Sequence, residues 1–297
     1  MSSTIDSPID RPIDTAAASA AQAGLPTGEL RDTWLRERVT AVLSSLVSVL
    51  GAVAAVVVIW LGFIKAYDID PLVAKSPLDV ARYLVDGGDQ FSKSTEIWTA
   101  LGQTLVDAGV GYVAGLAAAI AVALLFVLSR GVESAFMPIA VTVRSVPLVA
   151  MTPLLTLIFG RGLLGTTVIS GIVVFFPALV TVAFGLKSTP RQAADLVRAY
   201  GGSGWAIARK VMIPSALPAV FASARVAVPG ALVGAMLAEW LATGKGIGYL
   251  MLSNTQNFNY GQLWASVTVL TFLSVLLYYA VGVLEALVLA RFGPPRS

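Results

Sequence analysis

Residues 187–214 read KSTPRQAADLVRAYGGSGWAIARKVMIP, a polar stretch enclosed by two long apolar runs. The stretch holds five of the chain's 20 Lys and Arg residues but a single acid, Asp195. Such a density of charge does not belong inside a bilayer, where one charged side chain costs about 2.5–3.5 kcal/mol on insertion scales. The stretch therefore predicts a structured loop outside the lipid, offered to a partner in the cytoplasm.

The overall composition is that of a polytopic membrane protein. Hydrophobic residues make up 57% of the chain and charged residues 12%, whereas soluble domains carry about 25% charged residues. Cysteine and histidine are both absent, which excludes a disulfide framework, a thiol nucleophile and the commonest general base and metal ligand. The formal net charge is only +3, and no stretch indicates a nucleic-acid partner.

The first 33 residues differ from the rest of the chain. They are rich in Ala, Ser, Thr, Pro and Asp and lack an apolar period, so we predict a disordered cytoplasmic tail over residues 1–33. An acidic tail before a long apolar run is not the pattern of a secretory signal, which begins with a short basic segment. Residues 34–297 are predicted to form the transmembrane domain.

Six apolar runs are long enough to cross a bilayer, which takes about 20 residues. They are residues 39–64, 101–128, 138–159, 163–186, 217–242 and 263–290. Arg144 and three prolines interrupt the third run. The sequence thus predicts an all-α polytopic membrane protein with about six transmembrane helices.

Lys and Arg residues near the spans indicate the orientation, because cytoplasmic loops carry an excess of them. With the N-terminus inside, the cytoplasmic side receives Arg31, Arg36, Arg38, Arg130, Lys187, Arg191, Arg198, Arg209, Lys210, Arg291 and Arg296. The outside then receives fewer, namely Lys65, Lys75, Arg82, Lys93, Arg161 and Lys245. We therefore predict that both termini and the 187–214 loop are cytoplasmic.

The first half of the loop has the signals of a short helix. Thr189 is placed to cap it, with Pro190 at its first position and Gln192 completing a capping box. Within this helix Arg191, Asp195 and Arg198 follow at i, i+4 and i+7, and so share one face.

Glycine ends that helix, and a second one is predicted after it. Gly201 and Gly202 supply a left-handed stop, and Ser203 can cap a second helix that includes Trp205. Pro214 is then expected to reset the chain before the fifth span. The two helices form a rigid knob, although composition alone equally allows an interfacial amphipathic helix held by anionic lipid.

The spacing within the loop decides between these interpretations. An acid at 195, a glycine six residues later and an aliphatic-x-aliphatic-Pro run at 211–214 resemble the EAA loop of ABC-transporter permeases. Over roughly residues 100–290 the chain resembles the branch that serves nitrate, taurine, aliphatic sulfonates and similar small solutes. The likeness rests on residues 144–160 (RSVPLVAMTPLLTLIFG), the loop, and residues 238–250 (AEWLATGKGIGYL). Asp195 stands where Glu is usual, and Leu196-Val197 stand where two alanines are usual.

The resemblance implies the type I ABC importer permease (MetI-like) fold in a bacterial cytoplasmic (inner) membrane. It implies as partners a second copy of the permease in a homodimer, two ATP-binding subunits and an external solute-binding protein. The loop would dock into a groove on the ATPase. In that role Arg191, Asp195 and Arg198 make polar contacts, Gly201 forms the bend and Pro214 sets the exit angle.

No phosphate-binding loop is visible in the sequence. The nearest segment to G-x-x-x-x-G-K-[ST] is GKG at 244–246, which lacks both the upstream glycine and the hydroxyl. ATP and Mg are therefore expected on the partner ATPase, with no cofactor in this chain. We predict a transport subunit and not an enzyme.

Three charged residues inside the predicted spans are candidates for the translocation path or its mouth. Arg225 and Glu239 are about 21 Å apart along a helix, too far to pair with each other. For Arg144 and Arg225 two interpretations stay open: snorkelling to the inner interface, or lining an anion path or bridging to neighbouring helices. Glu239 lies beside a glycine-rich mouth at 244–248, where bonding to backbone or to a partner chain is expected rather than binding of solute.

Small residues and prolines predict how the spans pack. Gly111-x-x-x-Gly115 and Gly230-x-x-x-Gly234 allow close helix approach, with internal packing favoured over a dimer seam. Two prolines of the third span, Pro147 and Pro153, are expected to kink it.

The leading function is the membrane-spanning subunit of an ATP-driven importer for a small anion or zwitterion, with a sulfonate or taurine first. Nitrate, bicarbonate, aromatic acids and thiamine precursors stay open, because selectivity in such importers rests largely in the external receptor. A secondary transporter driven by an ion gradient is the alternative; scarce buried acids, the lack of His and the lack of a visible inverted repeat count against it. A membrane-embedded enzyme would need a nucleophile–base set or a metal cluster, which the sequence does not show.

Overall fold

The computed structural model of the chain describes residues 51–85 and 90–292, which contain helices and no strand. The predicted tail at 1–33 and the first half of the predicted first span lie outside the described residues. The chain divides into two units, residues 1–69 and 70–297. The described part of the first unit contains one apolar helix, α1 (Gly51–Ala66).

The second unit contains the remaining described helices. In chain order they are α2 (Pro77–Val85), α3 (Gln90–Leu128), α4 (Arg130–Arg144), α5 (Leu148–Phe159), α6 (Leu163–Lys187), α7 (Arg191–Ala199), α8 (Gly204–Ile207), α9 (Ile213–Ala238), α10 (Gly246–Gln256) and α11 (Tyr260–Phe292). A π-helical turn at Ala208–Met212 joins α8 to α9, and a second at Glu239–Thr243 follows α9.

Four helical stretches are long and apolar enough to cross a membrane. They are Thr95–Leu128, Leu163–Lys187, Gly204–Thr243 and Tyr260–Arg291. These stretches match the second, fourth, fifth and sixth predicted spans, so the all-α architecture of apolar spans is confirmed over the described residues.

The third predicted span is two helices rather than one kinked helix. The axes of α4 and α5 meet at 106°. Pro147 stands immediately before α5 with extended backbone, φ −60° and ψ 120°. A proline disfavours the α conformation in the residue before it, which separates the two helices at this point. Pro153 lies inside α5, which continues past it, and the first half of the span begins at Arg130 instead of Pro138.

The fifth span begins earlier than predicted, because the loop runs into it without a break. Gly204–Thr243 is a single stretch of 40 helical residues. Pro214 lies in the first turn of α9, and the N–H of Ile213 donates five residues back to the carbonyl of Ala208. The wider π-turn makes room for a residue that lacks an N–H. The prediction that Pro214 resets the chain is therefore wrong.

Helices α3, α6 and α9 form the centre of the second unit, where glycine permits their close approach. A Cβ on Gly115 would lie 2.5 Å from the carbonyl oxygen of Gly171, and one on Gly234 would lie 2.6 Å from the Cα of Ser170. The Ser170 hydroxyl donates to the carbonyl of Ala231 at 2.9 Å. Lipid tails are as apolar as leucine, so tight packing and such bonds, rather than exclusion of water, hold spans together. The predicted internal use of the glycine motifs is confirmed.

Candidate functional site

The loop starts with a helix whose cap differs from the predicted one. Helix α7 begins at Arg191, after Pro190 with ψ 120°, and no side chain caps it. The Thr189 hydroxyl instead donates back to the carbonyl of Leu186 at 2.8 Å, at the end of α6. Thr189 thus satisfies a free carbonyl of α6 and not a free N–H of α7, so the predicted capping box is wrong.

The turn after α7 forms as predicted. Gly201 has φ +76°, and its N–H donates to the carbonyl of Arg198 at 2.8 Å, while that of Gly202 donates to Val197 at 2.9 Å. An L-residue other than glycine rarely adopts this backbone, which explains the glycine. Ser203 then accepts the N–H of Ala206 at 3.3 Å and caps α8.

Charged side chains line one side of α7, facing the end of α3 and the start of α4. Asp195 and Arg198 form an ion pair of 3.2 Å, both about two-thirds exposed. They border a cavity of about 840 Å³ between the loop, the end of α3 and the start of α4. Its polar lining includes Glu133, Ser134, Lys187, Arg191, Asp195 and Arg198. Arg191, Asp195 and Arg198 thus lie on one face of α7, as predicted.

Large apolar side chains on the loop are uncovered. No residue of α7 is buried, and Leu196, Tyr200 and Trp205 are 60%, 86% and 55% exposed. An apolar surface next to charged side chains, outside the spans, is typical of a protein interaction site.

Arg225 is bound to the last span. Its Nη1 lies 3.3 Å from Oε2 of Glu285 on α11, although the two groups are not aligned for a hydrogen bond. The guanidinium also lies 5.3 Å from the ring centroid of Tyr278. These contacts favour the bridge between neighbouring helices, and Glu285 in a span was the sequence signal for it.

Arg144 lies at the break between α4 and α5. Its side chain is exposed and borders a cavity of about 320 Å³, whose walls include Pro147, Phe176 and Pro177. Among the described residues it has no carboxylate within ion-pair distance. Within the described part of the chain, Arg144 therefore lacks the acidic partner that Arg225 has, and its side chain borders a cavity.

Glu239 fastens a helix that the sequence did not predict. Its side chain is fully buried, and Oε2 accepts the N–H of Gly248, in the first turn of α10, at 2.8 Å. Thr104 of α3 accepts the neighbouring N–H of Ile247, also at 2.8 Å. A carboxylate is favourable at a helix N-terminus, where the peptide dipoles leave partial positive charge. The expected bonding of Glu239 to backbone is confirmed.

Glycine is required around this carboxylate. A Cβ on Gly246, which has φ +88°, would lie 2.2 Å from the Glu239 Cδ, and one on Gly248 would lie 3.0 Å from Oε2. The glycine-rich segment thus packs closely against one buried acid. The spacing of the glycines was visible in the sequence. The sequence did not show that they are needed because the buried side chain of Glu239 lies against them. The three candidate charges are not brought together: the structure places each in a different setting.

A family profile described as "Binding-protein-dependent transport system inner membrane component" matches residues 111–293. A probable ABC transporter permease protein of Haemophilus influenzae is 31% identical over 64% of this chain and 78% of its own length. The formylaminopyrimidine transport permease protein ThiX of Halalkalibacterium halodurans is 28% identical over 74% and 86%. Further relatives, 23–25% identical, are named as permeases for aliphatic sulfonates, taurine and nitrate.

One solved structure has the same fold. The MetNI methionine ABC transporter, in inward-facing conformations, aligns with a TM-score of 0.52 over 65% of this chain and 94% of its own, at 22% identity. The profile covers more than half of the chain. The relatives of the chain and its fold agree with the resemblance seen in the loop. The chain belongs to the family of binding-protein-dependent transport system inner membrane components, as an ABC importer permease of the nitrate, taurine and sulfonate branch.

Proposed function

We propose that residues 187–214 dock on a cytoplasmic ATPase subunit and that closure of the ATPase pair drives solute through two copies of this chain. The uncovered apolar surface of Leu196, Tyr200 and Trp205 carries the proposal. Arg191, Asp195 and Arg198 stand at its side for polar contacts. ATP and Mg bind to the partner, and both termini of the permease lie with the loop in the cytoplasm.

The continuity of the loop with α9 supports a mechanical role. Gly201 fixes the angle between α7 and α8, and Pro214 lies within the 40-residue helix that follows. A displacement of the docked loop moves α9 as one rigid element, because helical hydrogen bonds run through the junction at Ala208–Met212. Alternating access requires such an element with two positions.

Cysteine cross-linking tests the docking surface. The chain has no cysteine, so Leu196→Cys introduces a single thiol at the proposed surface, and Phe272→Cys on α11 gives an equally exposed control in a span. In inverted membrane vesicles that contain the ATPase, we expect a bifunctional thiol reagent to join Leu196→Cys, and not the control, to the ATPase. Transfer of a photoactivatable lipid label to Leu196→Cys in place of the ATPase would support the interfacial helix instead.

The energy source is tested separately. Uptake in whole cells should collapse when ATP is depleted and persist when an ionophore dissipates the ion gradients. The opposite pattern would indicate a secondary transporter and contradict the proposal.

We further propose a small anionic or zwitterionic solute, sulfonate- or taurine-like. The names of the sulfonate and taurine relatives support this class. Arg144 supports it too, because it borders the 320 Å³ cavity and has no acidic partner among the described residues. A guanidinium there lowers the electrostatic cost of an anion that crosses a low-dielectric region.

A thermal-shift screen of solutes on the cognate binding protein tests this assignment. Taurine and alkyl sulfonates should raise its melting temperature more than nitrate, bicarbonate, aromatic acids or thiamine precursors do. A shift with one of the latter alone would replace the proposed solute. Arg144→Gln should then lower taurine uptake while leaving ATPase binding to the loop unchanged.

A further inference from the structure

A cross-helix ion pair joins the loop entrance to the broken span. Lys187, the last residue of α6, binds the carboxylate of Glu133 in the first turn of α4. The Glu133 side chain is 19% exposed and the Lys187 side chain 47% exposed. Salt weakens this partly shielded pair less than it weakens a more exposed pair such as Asp195–Arg198, whose side chains are about two-thirds exposed.

Each charge stands at the helix end that favours it. Ser129 caps α4 through the N–H of Val132, and Glu133 follows in that first turn, where an acid is stabilised by the helix dipole. Lys187 occupies the last turn of α6, where a base is stabilised in the same way. The pair therefore connects two rigid helix ends rather than two flexible loops.

Among the described residues of the second unit, helix α4 contacts the other helices along a narrow strip. Met137 and Ala140 pack against the core of α3, α6 and α9, whereas Phe136 and Ile139 on its other side are exposed. Its far end leads into the 106° break and to Arg144. A helix held along a narrow strip and ending at a break can tilt as a unit when its first turn is pulled.

We propose that Glu133 is a positioning residue for transport: through Lys187 it carries movement of the 187–214 loop into α4, and so to Arg144 at the break. This inference rests on the proposed function, in which the ATPase moves the loop. Peptide bonds carry that movement only to α6 and α9. The ion pair transmits the movement to α4 in the third span as well. The helices on both sides of the 320 Å³ cavity therefore respond to the same movement of the loop.

Two distances, measured with spin labels, separate these routes. Because the chain lacks cysteine, exposed positions Val113 on α3, Val141 on α4 and Val226 on α9 can be labelled in pairs. The 113–141 pair reports α4 and the 113–226 pair reports α9. Labelled chain is diluted with unlabelled chain, assembled with the ATPase in liposomes, and trapped with ATP and vanadate.

We expect trapping to shift both distances in the otherwise native chain. Glu133→Gln or Lys187→Gln should abolish the 113–141 shift and leave the 113–226 shift in place. Lys187→Arg, which keeps the charge, should restore the 113–141 shift. Loss of packing alone would not distinguish the Arg from the Gln variant, so this pair of variants isolates the ionic contact.

Three outcomes overturn the inference, and the third also overturns the proposed function. A 113–141 shift that persists in both Gln variants, or that is absent in the native chain while 113–226 moves, rejects the role of Glu133. No shift of either pair in the native chain rejects the ATPase-driven loop of the proposed function, and the inference with it.

Discussion

Gly246→Ala tests whether the buried carboxyl group of Glu239 organises the C-terminal end of α9 and the start of α10. The substitution places a methyl group at φ +88°, 2.2 Å from the Glu239 Cδ. Backbone strain at positive φ costs about 1–2 kcal/mol. The carboxyl group is fully buried and cannot swing into water, so it must also give up its bond to the Gly248 N–H. Leaving the buried Gly248 N–H without its acceptor adds about 1–3 kcal/mol.

Gly244→Ala is the matched control, since Gly244 has φ +66° and nothing within 4 Å of the added Cβ. Both variants carry the backbone strain, and only Gly246→Ala carries the collision. For a chain of this size the additional cost of about 1–3 kcal/mol corresponds to a melting temperature about 2–12 °C below that of the control, measured in detergent.

The same substitution in a Glu239→Ala background separates the collision with the carboxyl group from the backbone strain. Glu239→Ala removes the atoms that the new methyl group meets, so Gly246→Ala should cost about 1–3 kcal/mol less in that background than in the native chain. Equal melting temperatures of Gly244→Ala and Gly246→Ala, or an unchanged cost in the Glu239→Ala background, would refute the described role of the carboxylate.

The loop, the core and the start of α2 each give a further prediction. Gly201→Val should abolish ATP-driven uptake with normal membrane insertion, as judged by uptake and by the amount of chain in the membrane fraction; full uptake would contradict the role of the bend. Gly234→Ala should cost about 1–3 kcal/mol because its Cβ meets the α6 backbone, whereas Gly109→Ala, with open space around it, should leave the melting temperature unchanged or raised. Hydrogen bonds from the Ser76 hydroxyl and N–H lower the pKa of Asp79 below its usual value of about 4, so the cap of α2 contributes stability above that pH and loses it as the pH falls through the lowered pKa. Protection of the α2 amides from hydrogen exchange, corrected for intrinsic rates, should decrease as the pH is lowered in the native chain. In Asp79→Asn it should vary little with pH.

Sequence spacing was sufficient for features that depend on neighbouring residues. The left-handed Gly201 and the Ser203 cap follow from local backbone requirements, and both are present. The spans were likewise predictable from the lengths of the apolar runs alone. Local rules were misleading at Thr189, because a hydroxyl between two helices can serve the end of one or the start of the next, and sequence does not say which.

Features that depend on distant residues were not predictable in the same way. Helix α10 begins where it does because Thr104 of α3 and Glu239 supply acceptors for its first N–H groups. Thr104 lies 143 residues before Ile247 in the sequence; Glu239 lies only nine residues before Gly248, but its position beside the glycines did not indicate that a helix starts there. The pairing of Arg225 with Glu285 similarly required knowledge that α9 and α11 are neighbours at that depth.

The π-turn at Ala208–Met212 has a consequence for helical phase. A π-turn holds one residue more than an α-turn, and one residue corresponds to about 100° of rotation about the axis. The side chains before the turn, including Trp205, are therefore rotated by that angle from where an uninterrupted α-helix through α9 would place them. Removal of one residue from 208–212 would keep the length of the helix almost unchanged and turn Trp205 away from its present direction. The surface that this loop presents depends on an angular offset within one helix.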